Sequence, residues 1–123
     1  MIFGIGIDIC EIDHIKKNLD SPKFIERFFN INEIKDFSSE DLRNQHYAAR
    51  FAAKEAFAKA LGTGVKGFEL KDVYVVNDEQ GKPFIKLENN ALDIMKSKCT
   101  DFKINLSLSH EKNFAAAFVV IEQ

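Results

Sequence analysis

Two carboxylates stand in segments of this chain where they could bind a metal ion. Asp8 lies in GIGIDI, a strand-like run, and Glu55 lies in AAKEAF, a helix-like run. Neither carboxylate is accompanied by a His or Cys at zinc-ligand spacing, so the pair offers the hard oxygen ligands that Mg²⁺ prefers. The alternative for Asp8 is a structural role as the cap of the turn or helix that follows the strand.

Several groups that could neutralise phosphate charge precede or follow Glu55 in the sequence. Lys54 precedes Glu55, the segment 62–67 is rich in glycine, and Lys82 follows in a turn. Glycine-rich loops can turn backbone N–H groups toward a phosphate, although this loop does not have the Walker pattern and its alternative role is a change of direction. With Asp8, these residues predict Mg²⁺-assisted chemistry at a phosphate or diphosphate ester.

A long helix must position Glu55. Ser38 or Ser39 is a suitable N-cap, the following residues contain no proline, and Gly62 suits a left-handed C-cap after Leu61. On this helix Arg50 and Lys54 lie beside the apolar arc, where a charge needs a partner. The alternative is that Glu55 pairs with Lys59 and that Arg50 and Lys54 extend to solvent.

The first strand must position Asp8. Alternation places Phe3, Ile5, Ile7 and Ile9 on one face, which we expect to be core. The other face carries glycines at positions 4 and 6 beside Asp8. Two glycines indicate that something large approaches that face, either a ligand or a packed helix.

The remaining segments complete an α+β fold with a mostly antiparallel sheet packed on one long helix. Short helices are predicted between residues 10 and 38, including one beginning near Pro22 and one near Asn30. Further strands are expected at 73–76, 84–87, 103–109 and 114–121, with a helix at 90–98. Residues 1–123 are expected to form a single domain.

Composition excludes several function classes. The 123 residues are 46% hydrophobic and 29% charged, with a net charge of −2, so nothing suggests nucleic-acid binding. Cys10 and Cys99 do not form a metal-binding pattern and are interpreted as free thiols in a reducing compartment. No targeting segment or long apolar span is present, so a cytoplasmic location without membrane contact is expected.

Five motifs, taken together, resemble a known family. They are GIGIDI at 4–9, RFAAKEAFAKALGTG at 50–64, GKP at 81–83, LSLSHE at 106–111 and AAAFVVIE at 115–122. In this order they are similar to the signatures of the holo-acyl-carrier-protein synthases, the small bacterial members of the 4′-phosphopantetheinyl transferase family. The resemblance covers the whole chain.

The resemblance implies a reaction and its central residues. The 4′-phosphopantetheine arm of coenzyme A would move to a serine of apo acyl carrier protein, in fatty acid biosynthesis, releasing 3′,5′-ADP. Asp8 and Glu55 would hold Mg²⁺, and Lys54 would assist the leaving phosphate. Either Asp8 or a metal-bound water would accept the serine proton.

The resemblance also implies binding residues and an assembly. The coenzyme A cleft would be lined by Arg50, Gly62, Gly64, Gly81, Lys82, Pro83, Ser107, Ser109 and His110. Three copies would form a homotrimer with sites between subunits, and the basic stretch 16–27 would contact the acidic carrier protein. Two positions depart from the family: His14 replaces a frequent Arg, and Asn105 replaces a His of some members.

Two other hypotheses compete with this transferase. A non-catalytic module could dock an acidic helical partner, but docking would not require Asp8, Lys54 and Glu55 together. A different Mg²⁺-dependent nucleotide or diphosphate enzyme would turn over without any carrier protein.

Overall fold

The computed structural model describes all residues from 1 to 123. The elements follow in the order β1 (Ile2–Glu11), α1 (Ile12–Lys16), α2 (Pro22–Phe28), α3 (Glu40–Leu61), a 3₁₀ turn (Leu70–Asp72), β2 (Val73–Asn77), β3 (Pro83–Leu87), α4 (Asn89–Lys98), β4 (Lys103–His110) and β5 (Phe114–Glu122). The predicted strands and the predicted long helix are therefore present, and the α+β fold is confirmed.

Two antiparallel sheets make up the β structure. The larger sheet has the order β1-β5-β4, with β5 in the centre, and the smaller one is the hairpin of β2 and β3. In the larger sheet Ile7 pairs with Phe118, which in turn pairs with Ser107. Since directly opposed residues share a face, this register fixes which side chains lie on each side of the sheet.

Helix α3 crosses the inner face of the larger sheet. Ser39 caps its start by accepting a hydrogen bond from the N–H of Leu42 at 3.1 Å, and Gly62 ends it with φ of 89°. The small alanine side chains of α3 and the glycines of β1 let the two backbones approach closely. The approach is so close that a Cβ on Gly6 would lie 2.0 Å from the carbonyl oxygen of Ala56. The glycines of β1 therefore accommodate a packed helix, which was one of the two expected explanations.

The apolar face predicted for β1 is real, but the expectation that it forms the core is wrong. Ile5, Ile7 and Ile9 are 60%, 58% and 63% exposed, and Phe118 beside them is also exposed. The reason is that α3 covers the glycine face of the strand, so that the isoleucines point to the opposite side. The outer face of the sheet, defined by these four residues and their neighbours on β4 and β5, is left uncovered by this chain.

The helix expected to begin near Asn30 does not form. The N–H of Asn30 does donate to Glu33 Oε1 at 2.9 Å, as in a helix-capping box, but the chain continues as a turn without a helix. The Glu33 side chain is instead fully buried against α3 and β2. The capping pattern therefore marks a buried polar contact instead of a helix start.

Candidate active site

The two carboxylates predicted to act together lie next to each other. The close contact between Gly6 and α3 brings Asp8, two residues further along β1, beside Glu55 on the helix. Burial, and then the negative charge of Asp8, raise the pKa of Glu55. Two partly buried carboxylates that repel each other form a site that favours a cation.

Burial and the negative charges of this site also act on the thiol of Cys10, which lies two residues after Asp8. Burial raises the pKa of Cys10 to about 11, and the charges of Asp8, Glu11 and Glu55 add to this effect. Cys10 and Cys99 are both free thiols, as expected. A thiol with a raised pKa remains protonated at neutral pH, so Cys10 is a poor nucleophile and a poor metal ligand.

Lys59 is a site residue that the sequence interpretation did not include. Its Nζ donates to Asp8 Oδ1 at 3.2 Å and to the carbonyl oxygen of Ile7 at 2.9 Å. The ammonium is therefore paired with Asp8, and not with Glu55 as the alternative explanation expected. Its position one helical turn after Glu55 was the available signal, because residues four apart share a helix face.

Lys54, in contrast, does not reach this site. Its side chain is 0% exposed, and its Nζ donates to Glu33 Oε1 at 2.6 Å, to the carbonyl oxygen of Leu70 at 3.1 Å and to that of Val73 at 2.5 Å. The structure therefore places the Lys54 ammonium in the protein interior and not beside Asp8 and Glu55, where the predicted contact with the leaving phosphate would form. A helical wheel cannot show that Lys54 is fully buried, because the residue that pairs with it, Glu33, lies in a turn 21 residues earlier in the sequence.

Arg50 lies on the side of α3 that faces the β2–β3 hairpin. Its Nη2 donates to Asn77 Oδ1 at 3.0 Å, while Nε is buried without a partner. Asn77 Nδ2 in turn donates to the carbonyl oxygen of Gly81 at 2.9 Å, in the turn that carries Lys82 and Pro83. Arg50 and this turn thus form one connected unit.

The glycines expected in the cleft adopt conformations that other residues rarely take. Gly62, Gly64 and Gly81 have φ values of 89°, 67° and 87°, and nothing approaches within 4 Å of the position of their missing side chains. Lys82 is exposed, and its N–H donates to Asp78 Oδ1 at 2.9 Å. The two loops are therefore open to solvent and shaped by glycine.

The serine positions of β4 lie on the other side of the sheet from Asp8. Ser107 and Ser109 pair with residues 118 and 116 of β5 and so share the outer face with Ile7 and Ile9. A cavity of about 310 Å³ opens there, lined in part by Ile9, Ser109 and His110. One chain therefore does not bring Asp8 and these serines into a single cleft.

The residues present fit a divalent cation with few protein ligands. No group of three or more His, Cys, Asp or Glu side chains is arranged for a metal. Asp8 and Glu55 alone supply two carboxylates, which is the number that Mg²⁺ commonly takes from a protein when phosphate oxygens and water complete its shell. The mutual repulsion of the two carboxylates is the observation that supports a cation here.

Comparisons with known proteins identify the family of this chain. Residues 4–119 match the sequence model of the 4′-phosphopantetheinyl transferase superfamily. The chain is 51% identical to the holo-[acyl-carrier-protein] synthase of Treponema denticola and 46% identical to that of Clostridium tetani, over 99% of its own length and 99% and 97% of theirs. The chain belongs to the holo-[acyl-carrier-protein] synthase family.

Solved holo-[acyl-carrier-protein] synthase structures have the same fold. The enzyme from Neisseria meningitidis superposes with a TM-score of 0.85 at 33% identity, over 100% of both chains. The enzyme from Bacillus anthracis, in complex with CoA (3′,5′-ADP), gives a TM-score of 0.78 at 40% identity, over 98% of this chain and 96% of that one. The predicted family, fold and enzyme class are therefore confirmed. No helix here is both long and apolar enough to cross a membrane.

Proposed function

We propose that this chain transfers 4′-phosphopantetheine from coenzyme A to a serine of apo acyl carrier protein, with Mg²⁺ held by Asp8 and Glu55. The observation that carries the proposal is the pair of facing carboxylates, which the contact of Gly6 with α3 brings together. Family membership supports the reaction, and the carboxylates support its dependence on a metal.

Lys59 would act beside the metal during phosphoryl transfer. The serine oxygen forms a bond to phosphorus and its proton passes to Asp8 or to a water of the site, while the bond from phosphorus to the oxygen of the departing 3′,5′-ADP breaks. Mg²⁺, when bound, would supply positive charge to the diphosphate oxygens. The Lys59 ammonium, held at Asp8 and at the Ile7 carbonyl, adds a second positive charge on the same side.

Coenzyme A would bind along the unit formed by Arg50 and the turn at residues 81–83. The exposed Lys82 ammonium, the half-buried Arg50 guanidinium and the backbone N–H groups of the glycine-containing turn are donors suited to phosphate oxygens. Solved relatives from Bacillus anthracis and Helicobacter pylori are described as complexes with coenzyme A, which supports this ligand.

Three copies of the chain would assemble through the outer face of the larger sheet. Two observations support the assembly: the isoleucines of β1 are exposed, and Ser107 and Ser109 lie across the sheet from Asp8. A second copy would cover the apolar face and bring its own Asp8 near these serines and His110. The family resemblance supports a closed ring of three.

The carrier protein would dock on α1 and α2. Four bases in this region are exposed, namely Lys16, Lys17, Lys23 and Arg27. The family resemblance implies an acidic carrier protein. Its negative charge would be attracted to these bases, which would speed and orient its approach. Replacing Lys23 and Arg27 together by Glu is expected to raise the KM for the carrier without changing coenzyme A binding, whereas Lys98→Glu on α4 is the matched control.

The experiment that tests the function is intact-mass spectrometry of apo acyl carrier protein. The carrier is incubated with this protein, coenzyme A and Mg²⁺, beside a tube with EDTA and tubes with Asp8→Asn or Glu55→Gln. We expect a mass gain of one phosphopantetheine only with metal and with both carboxylates. A gain in EDTA would remove the metal from the proposal, and no gain from folded wild-type protein that binds coenzyme A would refute the transfer.

A further inference from the structure

We propose that Lys54 and Glu33 form a buried ion pair that positions the coenzyme A side of the site, so that Lys54 is a positioning residue and not a phosphate ligand. Both side chains are 0% exposed, and Lys54 Nζ lies 2.6 Å from Glu33 Oε1. The assignment of the positioned side to coenzyme A rests on the proposed function. The pair itself is a property of the fold.

The hydrogen bonds of Lys54 leave none for a phosphate. An ammonium has three N–H donors, and Lys54 directs one to Glu33, one to the Leu70 carbonyl and one to the Val73 carbonyl. The ring of Phe29 lies 5.4 Å from the same nitrogen. A phosphate could therefore reach Lys54 only if it displaced core residues and one of these acceptors.

Glu33 connects three parts of the chain. Its Oε1 accepts from Lys54 of α3 and from the N–H of Asn30, and its Oε2 accepts from the N–H of Val75 on β2 at 2.9 Å. The turn that precedes α3 is therefore fixed to the helix and to the small sheet through one carboxylate. Burial lowers the pKa of Lys54, and the charge of Glu33 opposes that shift.

A chain of hydrogen bonds leads from this pair to the proposed coenzyme A contacts. The Glu33 carbonyl oxygen accepts from His46 Nε2 at 2.6 Å, and the His46 carbonyl oxygen accepts from Arg50 Nη1 at 3.4 Å. Burial lowers the pKa of His46 to about 4, so the ring is neutral at pH 7. Arg50 then reaches Asn77, and Asn77 reaches Gly81.

This path predicts which kinetic constant depends on the pair. Loss of the pair releases the turn at Glu33 and disturbs Arg50 and the hairpin turn, whereas Asp8, Glu55 and Lys59 are held by the separate contact of β1 with α3. The KM for coenzyme A is therefore expected to rise, with little change in kcat at saturating coenzyme A or in the Mg²⁺ concentration that gives half-maximal rate.

A double-mutant cycle tests the proposal. Lys54→Met and Glu33→Gln are each expected to lower kcat/KM for coenzyme A by about tenfold or more, because each leaves an uncompensated buried charge. The double variant is expected to be no worse than the poorer single variant, instead of showing the product of both losses. The exposed pair of Lys71 and Glu69, with nitrogen and oxygen 3.6 Å apart, is the matched control, and Lys71→Met, Glu69→Gln and their double variant should change little.

Two outcomes of the cycle would overturn the proposal. If Lys54 contacted a phosphate directly, Glu33→Gln would keep nearly normal kinetics while Lys54→Met lost kcat. If the two residues acted independently, their losses would multiply in the double variant. Either result, obtained with folded variants, contradicts a positioning pair.

Amine footprinting of the unaltered protein covers the case in which the single variants do not fold. The native protein is acetylated with acetic anhydride, with and without coenzyme A, and modified peptides are measured by mass spectrometry. Lys54 is expected to stay unmodified in both samples, while the exposed Lys98 is modified in both. Acetylation of Lys54 in the free protein together with protection by coenzyme A would refute the pair.

Failure of the proposed function would be distinguishable from failure of this inference. If wild-type protein does not bind coenzyme A in a calorimetric titration, the proposed function fails, whereas the coupling of Lys54 and Glu33 can still be measured in thermal unfolding of the same four proteins. If wild-type protein binds coenzyme A and transfers its arm, but the pair shows no coupling, only the inference fails.

Discussion

Gly6 of β1 lies directly against the Ala56 carbonyl of α3, with 2.0 Å between that oxygen and the position of a Cβ on the glycine. Real side-chain carbons do not approach carbonyl oxygens so closely, so only glycine permits this contact. Because Asp8 follows on the same strand and Glu55 precedes Ala56 on the helix, the contact also determines the distance between the two carboxylates.

The first prediction concerns this contact. Gly6→Ala is expected to lower the free energy of unfolding by about 3 kcal/mol or more, because backbone atoms must separate to admit the methyl group. Gly64→Ala is the control, since its missing side chain meets nothing within 4 Å and only its φ of 67° opposes the change, at about 1 kcal/mol. Urea unfolding of both variants measures the difference, and equal losses would contradict the close contact.

The second prediction concerns Lys59. Lys59→Met is expected to lower kcat by about 100-fold, the size of effect found when a single stabilising donor is removed from an active site. Its side chain is 57% exposed, so stability should change by less than about 1 kcal/mol. Lys98→Met serves as the control in a steady-state assay with carrier protein and coenzyme A. Normal turnover of Lys59→Met would exclude Lys59 from the chemistry.

The third prediction follows from the raised pKa of Glu55. Since folding favours its protonated form, the associated stability is fully present below the pKa of an unfolded Glu, about 4.3, and is lost as the pH rises through the folded pKa. In metal-free buffer at pH 7, Glu55→Gln should therefore be more stable than wild type, by a small amount because solvent screens this partly exposed group. The difference should vanish near pH 4.

Added Mg²⁺ is expected to reverse the order of stability of wild type and Glu55→Gln. A cation that binds the folded state stabilises it by mass action, so millimolar Mg²⁺ should raise the melting temperature of wild type but not that of Glu55→Gln. Thermal scans with EDTA and with Mg²⁺ measure both effects on the same samples. An equal rise in the two proteins would show that the cation binds elsewhere.

Apart from the helix expected near Asn30, the sequence was sufficient to predict the helices and strands, because their signals are local. Ser39, the proline-free run and Gly62 define α3 by capping and propensity, and alternation defines the strands. The same alternation correctly placed Ile5, Ile7 and Ile9 on one face. It could not tell which face is inside, because an apolar face looks the same whether a helix or another copy of the chain covers it.

The candidate site was predicted only in part, since its details depend on distant contacts. Asp8 and Glu55 were found by residue type, but Lys54 was placed in the site because it precedes Glu55. Its actual partner, Glu33, is 21 residues away in a turn that resembles a helix start. The pairing of Lys59 with Asp8 is also long-range, at 51 residues: the helical spacing from Glu55 places Lys59 on the same helix face but does not indicate Asp8 as its partner.

The last prediction concerns the outer face of the sheet. Ile7 lies on this face, is 58% exposed and pairs with Phe118. A copy of this chain that covers the face would therefore bury both side chains. Ile7→Glu would then place an unpaired charge in an apolar contact, which costs several kcal/mol. The variant should therefore sediment as a monomer at micromolar concentration, where wild type should sediment as a trimer.

The control for this prediction is Leu42→Glu. Leu42 is 52% exposed in the first turn of α3, on the other side of the sheet, so the same charge there should leave the trimer intact. Because Ser107 and Ser109 lie across the sheet from Asp8, the monomeric variant should also lose transfer activity while it still folds. A fully active monomer of Ile7→Glu would show that a single chain contains the complete site.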